Sequence, residues 1–201
     1  MSKIILYPTE TVYALGVNPF DRVAWHALCE LKGRHGNQTA SWLLPSVEDI
    51  AIYAKITPQA QKLIDQYMPG PFTIVLKAKD YLPREVLALD GTVSFRVSLD
   101  PVAQEMISEY MLTHNAPLTC TSANRHGQPT MVTPQSIAAQ FGAKVQMITK
   151  TIDDGPRVGQ PSTIVRCVDD VVTILRQGSI ELEKPASATS PSMEALYAEI
   201  F

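Results

Sequence analysis

Hydrophobic positions along the chain fall into short runs that switch between two periods. Ile4-Ile5-Leu6-Tyr7 is a continuous apolar run stopped by Pro8, the pattern of a buried strand. Val23, Ala24, Ala27, Leu28 and Leu31 then recur at helical spacing, with Asp21 before them as an N-cap, and predict a helix from Asp21 to about Leu31. Trp42-Leu43-Leu44 reads as a strand, and Ser46 as the cap of a short helix through Tyr53 with Glu48 and Asp49 in its first turn. Thr57-Pro58 opens a helix to about Tyr67, proline being pre-organised for the first helical position. Phe72–Lys79 and Thr92–Val97 are strand-like. In the second, Val93, Phe95 and Val97 alternate with Thr92, Ser94 and Arg96. Asp100-Pro101 starts a helix through about Met111, Leu118–Thr121 is a strand, and Thr133-Pro134 starts a helix through Phe141 that Gly142 stops. Val145–Ile148, Ser162–Cys167 and Val171–Leu175 read as three more strands. Strands scattered among short helices predict one α/β domain, residues 1–183, around a sizeable mixed sheet. After Glu183 the composition changes. Residues 184–201 read as a linker, Pro185 to Pro191, and a short amphipathic tail from Met193 to Phe201.

Composition narrows the function classes. The 201 residues are 45% hydrophobic and 18% charged, with a formal net charge of −3, so any anion site must be local rather than a global basic surface. Cys29, Cys120 and Cys167 are widely separated and show no metal-type pairing, as expected of buried thiols in a reducing cytosol. Neither a charged leader nor an apolar run of membrane-spanning length is visible, and a cytoplasmic location is expected.

Candidate chemistry concentrates where strands end. Pro117 to Pro129 runs from an apolar approach into Thr119, Thr121, Ser122 and Asn124. It is either an ordinary polar turn or a loop that offers hydroxyls, an amide and backbone N–H groups to phosphate or carboxylate oxygens. The turn after Tyr7 carries Thr9, Glu10 and Thr11, as ligand donors or as a capped turn. Lys32-Gly33-Arg34 lies at a helix end, where a cation is favoured by the macrodipole alone. The glycine also lets both cations, with His35 and Asn37, address one polyanion. Pro69-Gly70-Pro71 is an architectural corner. Arg96, on the polar side of its strand, is either a solvated arginine or a carboxylate binder. Two late loops, Asp153 to Ser162 and Arg176 to Ser179, adjoin strands. There is no Walker-type loop, no Rossmann glycine pattern, no nucleophile elbow and no zinc-ligand spacing. Cys120 reads as a small buried residue.

As an ordered set these stretches resemble the YrdC/YciO family of threonylcarbamoyl-AMP synthases. The resemblance rests on Pro8-Thr9-Glu10-Thr11-Val12-Tyr13-Ala14-Leu15-Gly16, Lys32-Gly33-Arg34, Pro69-Gly70-Pro71-Phe72-Thr73, Phe95-Arg96-Val97, Ser122-Ala123-Asn124, Ser162-Thr163-Ile164-Val165 and Leu175-Arg176-Gln177-Gly178. It spans about residues 3 to 182; Ala14, His126 and the stretch after Arg34 depart from the family pattern. The resemblance implies a twisted mixed sheet with flanking helices and a concave ligand cleft. It implies synthesis of L-threonylcarbamoyl-AMP from L-threonine, bicarbonate and ATP, for the threonylcarbamoyladenosine modification of tRNA. It further implies a nucleotidyltransferase with Lys32, Arg34, Ser122 and Asn124 as the catalytic set. Thr119 and Arg176 would join them around ATP, with Thr11, Arg96, Thr121 and Ser162 around threonine. Mg2+ is expected to travel with ATP, and no protein metal site is expected. Expected partners are tRNA or double-stranded RNA and the downstream threonylcarbamoyl transferase complex. The alternative is a non-catalytic or diverged paralogue that binds RNA or nucleotide in the same cleft.

Overall fold

What each central strand puts on its two sides decides the architecture. In the computed structural model, which describes residues 3–34 and 39–182, the strands are β1 (Ile4–Tyr7), β2 (Ala14–Gly16), β3 (Ser41–Leu43), β4 (Phe72–Lys77), β5 (Thr92–Arg96), β6 (Leu118–Ser122), β7 (Ile148–Thr151), β8 (Thr163–Val168) and β9 (Val171–Arg176). The helices are α1 (Arg22–Lys32), α2 (Ile50–Tyr53), α3 (Pro58–Tyr67), α4 (Pro101–His114) and α5 (Pro134–Phe141). Among the described residues the strands form one nine-stranded sheet in the order β7-β1-β2-β6-β3-β5-β4-β8-β9. It is mixed: β1–β7, β3–β5 and β4–β8 pair in parallel and the other neighbours antiparallel.

Trp42, Ile74, Phe95 and Val165 share one face of the sheet and pack with Ile50 and Tyr53 of α2 and Ala60 and Ile64 of α3. Ile4, Leu6 and Leu15 pack with Leu28 and Leu31 of α1 and Ile137 and Phe141 of α5. Ile5 and Tyr7 alternate with Ile4 and Leu6 along β1, so they point the other way. They join Leu43, Leu118 and Cys120 under Ala103, Met106 and Ile107 of α4. Each large buried side chain contributes roughly 1.5–3 kcal/mol. Beyond α4, the alternate positions of the central strands on that face carry small hydroxyls and one arginine instead: Ser41, Thr73, Ser94 and Arg96, all buried.

Caps place the helices as their local sequences predict. Asp21 accepts from Ala24 N, Thr57 from Ala60 N, Asp100 from Val102 N and Ala103 N, and Thr133 from Ser136 N. Four details differ from expectation. Ser46 does not cap α2: its hydroxyl donates to Asp49 Oδ2 at 2.8 Å, and the helix starts at Ile50. Residues Gly142–Met147 form a 3-10 segment rather than a strand, because Val145 and Met147 pack inward against the α1–α5 cluster and pairing with β1 begins only at Ile148. α4 continues to His114, where Asn115 ends it in the left-handed region. β2, three residues long, is too short for any period to reveal. It exists because Ala14 pairs with Tyr7 on one side and Ser122 on the other.

Candidate functional site

The hydroxyl-bearing face opens into a cavity of about 200 Å³. Thr11 and Ala14 come from the turn and strand after β1, Ser41 from β3, Thr73 from β4 and Arg96 from β5. Cys120, Thr121 and Ser122 come from β6, Asn124 from the following loop, and Pro161, Ser162 and Arg176 from the β8–β9 side. Strand alternation explains the lining: Ser41 adjoins core Trp42, Thr73 adjoins core Ile74, and Arg96 adjoins core Phe95.

Arg96 is only 5% exposed. Its Nη2 donates to Thr11 Oγ1 at 2.7 Å, Glu10 Oε1 at 3.0 Å and Thr9 Oγ1 at 3.4 Å, while its buried Nε has no hydrogen-bond partner among the described residues. Glu10 Oε2 also accepts from Ser98 Oγ. Burial acts to raise the Glu10 carboxyl pKa, but Arg96 and Ser98 together outweigh it and hold the group below the ordinary carboxylate range. Burial opposes charge on Arg96, and Cys120 and Glu10 offset this, leaving its pKa above the usual guanidinium value. Thr9 shapes the turn itself, donating to Val12 O at 2.6 Å.

A second guanidinium stands on the same cavity. Arg176 Nε and Nη2 donate to Ser162 O at 3.1 and 2.9 Å, and Nη2 also reaches Ser162 Oγ at 3.2 Å. Ser162 Oγ in turn lies 2.9 Å from Thr73 Oγ1. Burial first, then repulsion from Arg96, lowers the Arg176 pKa to about 10. Two like charges, one buried and one half-buried, around one hydroxyl-lined cavity favour an anion between them.

The loop after β6 is held from below. Ser122 Oγ donates to Asn124 Oδ1 at 2.6 Å, and Asn124 Nδ2 donates to Gln128 O. Lys32, at the end of α1, is 3% exposed. Its Nζ donates to Ser122 O, to Asn124 O at 2.9 Å and to Asn124 Oδ1 at 3.5 Å. Burial, with Arg34 adding to it, pushes the Lys32 ammonium down to about 7. Gly33 takes the left-handed conformation (φ 69°) that ends α1, and Arg34 is buried beyond it with Nη1 on Thr39 O at 3.4 Å.

The family model for Sua5/YciO/YrdC, described as telomere recombination, matches residues 1–178. The chain belongs to the Sua5/YciO/YrdC family. A threonylcarbamoyl-AMP synthase of Pyrococcus abyssi is 32% identical over 184 residues, covering 90% of this chain and 52% of that protein. A putative threonylcarbamoyl-AMP synthase of Methanocaldococcus jannaschii is 31% identical over 185 residues, covering 92% and 84%. Among solved structures, P. abyssi Sua5 complexed with L-threonine superposes with a TM-score of 0.78 at 29% identity, covering 99% of this chain and 55% of that one. E. coli YciO shares the fold, with a TM-score of 0.77 at 24% identity over 90% of this chain and 85% of that one. The chain spans about half the length of the Pyrococcus relative, 52%.

In this Sua5/YciO/YrdC chain the sheet brings Thr11, Arg96, Ser122, Asn124, Ser162 and Arg176 to one cavity; Thr121, of the same parity as Thr119 along β6, joins the lining only at the end of that strand. Thr119 is not among them. It alternates with Cys120 along β6, so it faces the other side, where its hydroxyl accepts from Val17 N at 2.9 Å beside a small cavity with Trp25 and Trp42. Lys32 and Arg34 also sit outside the cavity lining; Lys32 lies behind the Ser122–Asn124 loop, on its carbonyl oxygens. His35, Asn37 and the tail from Met193 lie outside the described residues. Sequence reasoning passed over Ser41, Thr73 and Ser98, and placed Glu10 on its turn without pairing it to Arg96. The alternation of Ser41 and Thr73 with core hydrophobes was a usable signal; Ser98 had none. No described helix is long and apolar enough to cross a membrane.

Proposed function

We propose that the chain is a threonylcarbamoyl-AMP synthase, a nucleotidyltransferase that joins L-threonine, bicarbonate and ATP for the threonylcarbamoyladenosine modification of tRNA. The observation that carries this reading is a pair of guanidiniums, buried Arg96 and half-buried Arg176, on one hydroxyl-lined cavity. The family relatives support it. Threonine and bicarbonate condense to a carbamate with loss of water. A carbamate oxygen then attacks the α-phosphorus of ATP, and the bond from that phosphorus to the bridging oxygen breaks, releasing pyrophosphate. No side-chain nucleophile enters, so the protein contributes positioning and charge.

In this reading Arg96 pairs the threonine carboxylate, with Thr11, Thr121 and Ser162 around the amino acid. Arg176, Ser122 and Asn124 address the nucleotide. Lys32, which holds the carbonyl oxygens of the Ser122–Asn124 loop, and Arg34 beside it act on the phosphate end through that loop. Thr119 has no place in the set, because its hydroxyl is committed to Val17. Mg2+ enters with the triphosphate. The cavity wall supplies hydroxyls and guanidiniums, and Glu10, the nearby carboxylate, is engaged by Arg96 and Ser98. The unstable adenylate passes to a threonylcarbamoyl transferase acting on tRNA. The thiols of Cys29, Cys120 and Cys167, all free, support a cytoplasmic setting.

The test is pyrophosphate release by the purified chain with Mg2+. Release that requires threonine, bicarbonate and ATP together is expected. No release, under conditions where the Pyrococcus relative is active, refutes the reading, and RNA binding without turnover would then favour a binding paralogue.

A further inference from the structure

The loop between β7 and β8, residues 153–161, runs as a strap along the rim of the cavity, to which Pro161 and the adjoining Ser162 contribute. It is pinned at four places. Tyr13 Oη donates to Gly155 O at 2.8 Å and accepts from Asp154 N at 3.1 Å. Arg157 N donates to Val132 O at 2.8 Å, and Gly159 N donates to Thr11 O at 2.9 Å. Arg157 Nη2 donates to Asp100 Oδ2 at 3.0 Å and to Asp154 Oδ2.

Two of these pins lead to the same nitrogen. From Gly159 the path is one residue long: Thr11, whose hydroxyl accepts from Arg96 Nη2 at 2.7 Å. From Arg157 it runs through Asp100, whose N–H donates to Ser98 Oγ at 3.2 Å; Ser98 donates to Glu10, and Glu10 accepts from Arg96 Nη2 at 3.0 Å. Asp100 is a firm anchor, because it also caps α4. Gly159 lies so close to Thr11 that a Cβ there would overlap the Thr11 backbone. The strap thus bears on two of the three acceptors that hold Arg96 Nη2.

We propose that this strap fixes Arg96 in the cavity, making Arg157 a positioning residue for the amino-acid carboxylate. This rests on the synthase reading above. Arg157 itself does not line the cavity, and its neighbour Val158 is 83% exposed. Loss of the Arg157 pin loosens Gly159 from Thr11, and Arg96 then loses a fixed acceptor.

The experiment compares Arg157→Gln, Arg157→Lys, Gly159→Ala and the exposed control Val158→Ala in the full chain. Pyrophosphate release is measured against threonine and against ATP, and threonine binding is titrated calorimetrically. Arg157→Gln and Gly159→Ala are expected to raise the threonine KM and Kd about tenfold, roughly one charge-assisted hydrogen bond's worth of binding. The ATP KM should stay within about twofold. Arg157→Lys should recover part of the loss, Val158→Ala should have no effect, and the Gln/Ala double variant should fall short of the product of its singles, because both act through Arg96. An unchanged threonine Kd in Arg157→Gln, or an equal rise in both KM values, overturns the proposal. A wild-type chain that binds threonine but releases no pyrophosphate sinks the synthase reading alone. The calorimetric comparison then still decides the strap.

Discussion

Replacing Arg96 with Met tests the electrostatics of the cavity floor. The pair it forms with Glu10 is nearly dry, with 6% and 17% side-chain exposure and an Nη2–Oε1 distance of 3.0 Å. The substitution leaves the Glu10 carboxylate with Ser98 as its remaining side-chain partner. Stranding one member of a buried pair costs about 3–5 kcal/mol. With a urea slope of roughly 2 kcal/mol/M, the unfolding midpoint should fall by about 2 M. Adding Glu10→Gln removes the stranded charge and should restore more than half of the loss. Glu10 also sets a pH dependence. Its folded pKa lies below the ordinary 4.5, so its contribution is fully present above that value and is lost as pH falls through the depressed one. The stability difference between wild type and Glu10→Gln should therefore be flat from neutral pH down to about pH 5 and shrink below it. Urea titrations of the four proteins at several pH values provide the assay. Arg96→Met with an unchanged midpoint, or a double variant less stable than Arg96→Met alone, would refute the reasoning.

Three further substitutions probe other parts of the structure. Thr119→Val removes the acceptor of Val17 N and should cost about 1–3 kcal/mol in thermal unfolding. Its threonine KM should not move; a large rise would return Thr119 to the cleft. Gly178→Ala drives a Cβ into Pro161 O and the Ser162 backbone. It should displace the Ser162–Arg176 wall and lower kcat/KM about tenfold or more, a misplacement effect that steady-state pyrophosphate assays would register. Trp42→Ala empties the centre of an aromatic cluster whose rings from Phe20, Tyr53 and Phe95 lie 5.4, 5.3 and 6.0 Å away. It should cost about 3–5 kcal/mol by guanidinium denaturation.

The elements with strong local signals were legible in the sequence. Thr57-Pro58 starts α3, Asp21 caps α1 and Asp100 caps α4, because a capping side chain bonds to backbone only two or three residues away. The alternation in Thr92–Val97 separates Phe95 from Arg96 for an equally local reason, the two-residue repeat of a strand. Family membership was readable from the order of the motifs. Local pattern failed where a neighbour decides. β2 exists through its two partners, and Val145 and Met147 turn inward onto α1 and α5 rather than extending.

The sequence by itself therefore determined the helices, most of the strands and the residue types at the strand ends. Tertiary structure alone decided which side of the sheet is left uncovered beyond α4. That choice made Arg96 a buried cavity residue rather than a solvated one, and left Thr119, on the opposite face from Cys120 and Ser122, outside the cavity. It also set Lys32 beneath the Ser122–Asn124 loop, about 90 residues distant in the chain. A strand's alternation names two faces but not their surroundings. Those depend on contacts between segments far apart in sequence, whose pairing no local period encodes.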